Sequence, residues 1–134
     1  MEQPCITAFN LQPLAGDKLT GIGFYAKNTL NSLLSDPLFD SSELQVFDFL
    51  SRNNAVETVR ERIDEKYRSK PISVVKSLPL GAYIRMGNAG KAFSYEKMLR
   101  SKADTTVFFN YLYPKGVRGK RIITIYDMVC SRFP

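Results

Sequence analysis

Two glycines separated by one residue form the first candidate site. The stretch Thr20-Gly21-Ile22-Gly23 follows a loop and opens a segment with helical spacing. The first N–H groups of a helix have no intrahelical partner and lie at the positive end of its dipole, so phosphate or a sugar oxygen can bind there. Glycine lacks the Cβ atom that would hold such a ligand away from the backbone, and Thr20 can cap the helix. A tight turn or close packing of the helix on a sheet explains the same glycines without a ligand.

A nicotinamide enzyme is disfavoured at this site. After Gly21-Ile22-Gly23 the chain continues with Phe-Tyr-Ala, so the third glycine of the dinucleotide fingerprint is missing. The chain contains no histidine, which excludes Ser-His-Asp and Cys-His triads and any histidine base or metal ligand. Cys5 and Cys130 are the only cysteines, too few for a zinc site of known spacing. We predict that both are buried thiols in a reducing cytoplasm.

Aromatic and basic side chains form two further candidate binding sites near the C-terminal end. Phe108, Phe109, Tyr111 and Tyr113 surround the end of a predicted strand, and aromatic faces stack on sugars or bases. Alternation along a strand instead places Phe108 or Phe109 in the core. A basic turn follows, with Lys115, Arg118, Lys120 and Arg121. This turn either contacts acidic lipid or is a solvated loop.

The charge is distributed unevenly along the 134 residues. Residues 1–58 hold three basic and seven acidic side chains, whereas residues 59–134 hold sixteen basic and six acidic ones. This asymmetry indicates either an anionic partner or a solvated basic face. No apolar run is long enough to span a bilayer, and the N-terminus lacks the features of a secretion signal. We therefore predict a cytoplasmic protein, with peripheral association at the inner face of the membrane as a further option.

Strand and helix patterns alternate along the chain, which is typical of an α/β fold with a mainly parallel sheet. Strands are predicted at 6–11, 44–50, 72–75, 105–110 and 121–126, and helices at 22–34, 54–70 and 94–102. Residues 78–93 contain Pro79 and three glycines, and we predict mostly loop there. Parallel sheets bind ligands at the carboxyl ends of their strands. The candidate loops at that edge are 12–23, 110–114 and 126–130.

Both ends of the chain carry strings that resemble one enzyme family. ITAFNLQPLAGDKLTGIGFYAKNTLNSLL, from Ile6, is similar to the start of retaining GT-B glycosyltransferases of family 4, or group 1, which often have a strand, a loop ending T-G-I-G-R-Y and a helix. VFFNYLYPKGVRGKRIITIYDMVCSRFP, from Val107, resembles a later part of the same domain, with a strand ending T-I-H-D-L before R-F-P-E. The middle of the chain matches only in the order of its elements.

This resemblance implies one Rossmann-like domain over residues 1–134, a three-layer α/β/α half of a GT-B fold. The domain holds the acceptor, a glycan or a lipid-linked molecule, and a second domain holds the nucleotide-sugar donor. It further implies that Thr20, Gly21 and Gly23 approach the donor phosphates and that Asn110 and Tyr111 bind the acceptor. Tyr126 and Asp127 are the catalytic candidates by the same resemblance. Asp127 fits a helix cap equally well. The family needs no cofactor or metal as a rule.

The sequence departs from the family in two respects. Tyr126 stands where the family has histidine, and a phenol with a pKa of roughly 10 is a poor base near neutrality. The chain also stops before any donor domain, so we expect a truncated product or a fragment that transfers no sugar alone. The alternative is a small α/β protein that binds an anion without catalysis. Nucleic acid is a weaker candidate, because the basic residues are dispersed and no nucleic-acid-binding motif is present.

Overall fold

The computed structural model describes residues 5–49, 54–91, 93–110 and 113–124, and it contains a five-stranded, all-parallel sheet. The strands lie in the order β3-β2-β1-β4-β5. Their bounds are β1 Thr7–Asn10, β2 Glu43–Phe47, β3 Ile72–Val75, β4 Thr105–Phe108 and β5 Lys120–Ile123. Chain order reverses between β1 and β4, because β2 and β3 extend the sheet on one side of β1 and β4 and β5 extend it on the other. The predicted α/β class with a parallel sheet is confirmed.

Four helices accompany the sheet: α1 Gly21–Leu34, α2 Ala55–Arg62, α3 Leu80–Asn88 and α4 Tyr95–Leu99. Side-chain caps begin three of them, since Thr20, Asn54 and Ser94 accept hydrogen bonds from the backbone N–H three residues later. Helix α1 ends before Asp36-Pro37, as predicted from the restricted backbone of a residue that precedes proline. Among the described residues, no helix is both long and apolar enough to cross a bilayer.

Two apolar clusters show that helices cover both faces of the sheet. On one face Phe9 and Val107 meet the buried residues of α1 and α2, which include Leu30 and Val59. On the other face Phe47 and Phe108 meet Tyr83 of α3 and Tyr95 of α4. Side chains alternate between the faces along each strand, so Phe108 and Phe109 are both buried, one in each cluster. The result is a Rossmann-like three-layer fold.

The predictions for one loop, one cysteine and the ends of two helices are wrong within the described part of the chain. Residues 80–88 form α3 rather than loop, because Tyr83 and Gly87, one helical turn apart, are buried against the sheet and outweigh the glycines. Cys5 is exposed rather than buried, since it precedes β1 at the amino end of the sheet. Cys130 lies outside the described residues. The helices predicted at 54–70 and 94–102 are also shorter, ending at Arg62 and Leu99.

Candidate functional site

A cleft of about 540 Å³ opens at the carboxyl ends of β1 and β4, the strands between which the chain order reverses. Ligands in open parallel sheets bind at this switch point, because the connections leave for opposite faces there and a crevice opens between them. The last residues of the two strands, Asn10 and Phe108, are register partners and both line the cleft. The loop before α1 forms one wall, and the start of α3 contributes to the other.

The entrance of α1 presents two backbone donors beside this cleft. Thr20 accepts hydrogen bonds from the amides of Gly23 and Phe24. Its Oγ1 accepts from Gly23 N at 3.2 Å, and its carbonyl oxygen accepts from Phe24 N at 2.9 Å. The amides of Gly21 and Ile22 have no acceptor among the described residues. Thr20 and Ile22 line the cleft, so an anion or a sugar oxygen at this wall would meet the positive end of the helix dipole.

The two glycines of this entrance have different surroundings. A Cβ on Gly23 would lie 2.8 Å from the Leu19 side chain and 3.0 Å from the Pro13 carbonyl oxygen, so the close approach of the loop requires glycine there. A Cβ on Gly21 would meet nothing within 4 Å. Close packing therefore explains why residue 23 is glycine, in agreement with the interpretation that needs no ligand. The packing of the described residues does not explain why residue 21 is glycine.

Arg62, the last residue of α2, holds the loop that forms this wall. Its Nη1 donates to the carbonyl oxygens of Leu14, at 2.8 Å, and Gly16, and its Nη2 donates to the Asp17 carbonyl at 3.0 Å. Five guanidinium N–H groups in a rigid fork allow one side chain to reach three carbonyls. Sequence patterns did not single out Arg62, because its partners precede it by 45 residues or more.

Helix α3 supplies the opposite wall, which the sequence prediction missed. Pro79, Leu80, Gly81 and Ile84 line the cleft from this side. The wall formed by α3 is mostly apolar, whereas the wall formed by the loop before α1 includes the polar residues Lys18 and Thr20. The pattern Leu80, Tyr83, Ile84 and Gly87 has helical spacing after a proline that stands just before the helix, and this was the available signal.

A buried polar network lies beneath the floor of the cleft. Asn10 Nδ2 donates to Tyr95 Oη at 3.0 Å, and Tyr95 Oη donates to Gln45 Oε1 at 2.8 Å. Asn10 and Gln45 are register partners on neighbouring strands and point to the same face. Burial raises the pKa of the Tyr95 phenol far above its ordinary value, and the hydrogen bond from Asn10 offsets only part of that shift. Tyr95 therefore stays a neutral donor, and it fixes the orientation of the Asn10 amide at the cleft.

The remaining predicted site residues are only partly within the described structure. Asn110 lines the cleft, directly after β4. Tyr111 lies outside the described residues, as do Tyr126, Asp127 and the predicted loop at 126–130. β5 is parallel to β4 and runs toward the edge where the cleft opens. The structure thus brings Thr20 and Asn110 to one cleft, while the placement of Tyr126 and Asp127 stays a prediction.

The basic turn is bound to α4 by a carboxylate. Glu96 Oε1 accepts from the backbone N–H groups of Arg118 and Gly119, both at 2.9 Å. Partial burial raises the pKa of Glu96, but these backbone hydrogen bonds lower it more, and the pKa lies below its ordinary value. Arg121 stacks on the Tyr113 ring with its guanidinium carbon 4.7 Å from the ring centroid. These contacts fix the backbone of the turn on the α4 side of the molecule.

A second depression, an open groove of about 760 Å³, lies on the α3/α4 side. Leu78, Phe93 and Met98 give it an apolar lining, and Lys97 and Arg118 add positive charge. Phe93 is 60% exposed, which is high for a phenylalanine. Within the described ranges, no group of three or more acidic, cysteine or histidine side chains is arranged to hold a metal ion.

The comparisons with known proteins identify no relative of this chain. No protein-family model matches it, and neither a curated protein nor a solved structure does.

Proposed function

We propose that this chain is the acceptor-side part of a glycosyltransferase that uses a nucleotide-sugar donor. In this proposal the cleft at β1 and β4 is where the donor's diphosphate meets the entrance of α1. Asn110 then faces the acceptor, a glycan or a lipid-linked molecule, and a second α/β domain holds the nucleotide. Tyr126 and Asp127 complete the catalytic site in this proposal, with Tyr126 as a hydrogen-bond donor rather than a base.

One observation carries the proposal: the T-G-I-G string opens a helix whose first amides lie beside the switch-point cleft. Gly21 and Ile22 carry the first two N–H donors of the helix, and Ile22 lines the cleft together with Thr20, Lys18 and Asn110. This combination suits an anionic ligand that also carries hydroxyl groups, which describes a sugar diphosphate. The apolar wall of α3 suits the ring face of a sugar or of an acceptor.

Titration of the chain with UDP-, GDP- and ADP-glucose, followed by amide NMR shifts, tests the proposal. A few backbone donors at a helix end give weak binding, so we expect a Kd no better than about 1 mM and titrate to about 10 mM ligand. Shift changes are expected at residues 16–23 and 108–110. Micromolar binding would mean that the chain holds a complete donor site, which contradicts the acceptor-side assignment. Shift changes elsewhere, or none, would contradict the site itself.

Gly21→Val and Gly23→Val form a matched pair for this titration. Valine at 21 has open space, so the fold is retained, and we expect its side chain to hinder a ligand that approaches the first amides of the helix. We expect it to abolish the shift changes without lowering the melting temperature. Valine at 23 clashes with Leu19 and Pro13, so its effect on binding is accompanied by lost stability. Unchanged ligand shifts in Gly21→Val would remove the helix entrance from the site.

The charge distribution favours one alternative, an anion-binding protein without catalysis. Residues 66–121 carry thirteen basic and two acidic side chains. Glu96 is hydrogen-bonded to the backbone of Arg118 and Gly119, and Asp104 accepts from Ile6 N at 2.9 Å. Binding of labelled single-stranded DNA and of anionic vesicles, measured over a range of salt concentrations, tests this alternative. Tight binding that weakens steeply with salt, without any shift change at the cleft, would favour it.

A further inference from the structure

We infer that Arg62 is a positioning residue for the cleft: it holds the loop of residues 12–20 in the shape that lines the ligand space. The inference rests on the proposed function only in that it treats the cleft as a ligand site. Arg62 itself is not among the residues that line the cleft, so any effect on a ligand passes through the loop.

The exposed part of the loop makes few backbone–backbone hydrogen bonds of its own. Leu14 N and Ala15 N donate to Leu11 O and Gln12 O in a short 3-10 turn, Gln12–Leu14. After Ala15, the backbone–backbone hydrogen bonds of the described chain resume at Phe24. Residues 16–18 are exposed, and it is in this stretch that the Arg62 guanidinium binds the Gly16 and Asp17 carbonyls.

The same stretch contributes directly to the cleft wall. Gly16, Lys18 and Thr20 line the cleft, while the carbonyls of residues 16 and 17 are bound to Arg62. A wall that is ordered before a ligand arrives removes an entropic cost from binding. Lysine keeps the positive charge of arginine, but its single ammonium cannot reproduce a planar fork on three carbonyls. Arg62→Lys therefore loosens the loop while the net charge stays the same.

Helix α2 provides a matched control in Arg60. Its Nη1 donates to the carbonyls of Arg68, at 2.6 Å, and Lys70, at 2.9 Å, and neither residue lines the cleft. Arg60→Lys makes the same chemical change on the same helix and also removes a guanidinium from backbone carbonyls. If losing guanidinium contacts lowers stability in general, both variants will therefore be less stable. An effect on the cleft is expected in Arg62→Lys alone.

The experiment measures backbone ¹⁵N relaxation in the full chain and in both variants. Order parameters of residues 16–19 are expected near 0.85 in the wild type and in Arg60→Lys, and below about 0.6 in Arg62→Lys. Trypsin cleavage after Lys18 gives a second measurement, and we expect it to be about fivefold faster in Arg62→Lys than in the other two proteins. Order parameters at 16–19 that stay unchanged in Arg62→Lys, or that fall equally in Arg60→Lys, would overturn the inference.

Titration with UDP-glucose links the loop to the cleft. We expect the Kd for UDP-glucose to be about threefold or more higher in Arg62→Lys than in the wild type, and unchanged in Arg60→Lys. Equal affinity in all three proteins would refute a positioning role even if the loop became mobile. If the wild type shows no shift changes with any of the three nucleotide sugars, the proposed function fails, and the relaxation data still decide whether Arg62 orders the loop.

Discussion

The two helical layers that cover the sheet are built in different ways. On the α1/α2 side the core is largely aliphatic, with Leu30, Leu44 and Val59 fully buried. Helix α1 is long, at 14 residues, and its buried positions follow the helical period. Such a layer is specified mainly by apolar volume and periodicity, and hydrophobic substitutions of similar size are tolerated in cores of this kind.

The α3/α4 side depends on specific contacts instead. Tyr95 stacks on Phe47, with ring centroids 6.1 Å apart, and its hydroxyl belongs to the network with Asn10 and Gln45. Helix α4 has only five residues, and its capping residue Ser94 and its residue Glu96 bind backbone N–H groups. Each of these contacts is directional, and the hydrogen bonds of the Tyr95 hydroxyl are also buried. The comparison teaches that the buried core of one layer is held by apolar volume and that of the other by directional contacts.

The largest effect is expected from Gly116→Ala on the directional side. A Cβ at 116 would overlap the Phe93 carbonyl oxygen and the Tyr83 hydroxyl, and the backbone carbonyl cannot rotate away. We expect a loss of about 3 kcal/mol or more in the free energy of unfolding, measured with urea. Gly81→Ala, whose Cβ meets nothing within 4 Å, serves as the control and should not destabilise the chain. Equal stability of the two variants would contradict the close packing at Gly116.

A smaller effect is expected from Tyr95→Phe, which removes one oxygen atom from the buried network. It leaves Asn10 Nδ2 and Gln45 Oε1 without this partner, and we expect a cost of about 2 to 3 kcal/mol. Leu30→Met on the aliphatic side conserves volume and should cost less than about 1.5 kcal/mol. Urea unfolding of both variants measures the difference. If Leu30→Met costs as much as Tyr95→Phe, the distinction between the two layers is lost.

The smallest effect is expected from Glu96→Gln, and it depends on pH. Because the folded-state pKa of Glu96 is lowered, its carboxylate stabilises the fold fully above the unfolded-state pKa of about 4.3. That contribution is lost as the pH falls through the folded-state value. We expect Glu96→Gln to cost about 1 kcal/mol at pH 7 and progressively less in acid.

Glu57→Gln in the first turn of α2 is the matched control for this pH series. It should change stability by less than about 0.5 kcal/mol at pH 7, as expected for a surface substitution near a helix end. Urea unfolding at several pH values measures both variants. A difference between wild type and Glu96→Gln that stays constant from pH 7 into acid would contradict the role of the charged carboxylate.

The difference between the layers also explains which elements could be predicted from the sequence. Helix α1 was predicted because Ala26, Leu30 and Leu34 repeat at the helical period, and each is buried. Helix α3 was missed because Gly81, Gly87 and Pro79 lower helical propensity, and the burial of Tyr83 that compensates depends on the distant sheet. Periodicity therefore predicted α1 better than α3, whose burial depends on contacts that are distant in sequence.

The candidate site divides in the same way. The loops 12–23 and 110–114 were predicted to lie at one edge of the sheet, since both follow parallel strands, and Thr20 and Asn110 from these loops both line the cleft. Arg62, Tyr95 and the α3 wall were not predicted. Their partners are far away in sequence, as with Asn10 and Tyr95, which are 85 residues apart, and no local pattern encodes such a pair.

The position of β1 in the sheet determines when this protein can finish folding. β1 lies in the middle of the sheet, and its partner on one side is β4, so that Thr7 pairs with Thr105. Contacts of such large sequence separation slow folding, because a long loop must close before they form. While the chain is synthesised, the side of β1 that will pair with β4 stays open until residues 105–108 have emerged. The cleft between β1 and β4 therefore forms at a late stage, and β1, although it precedes the other four strands along this chain, is among the last to be completed.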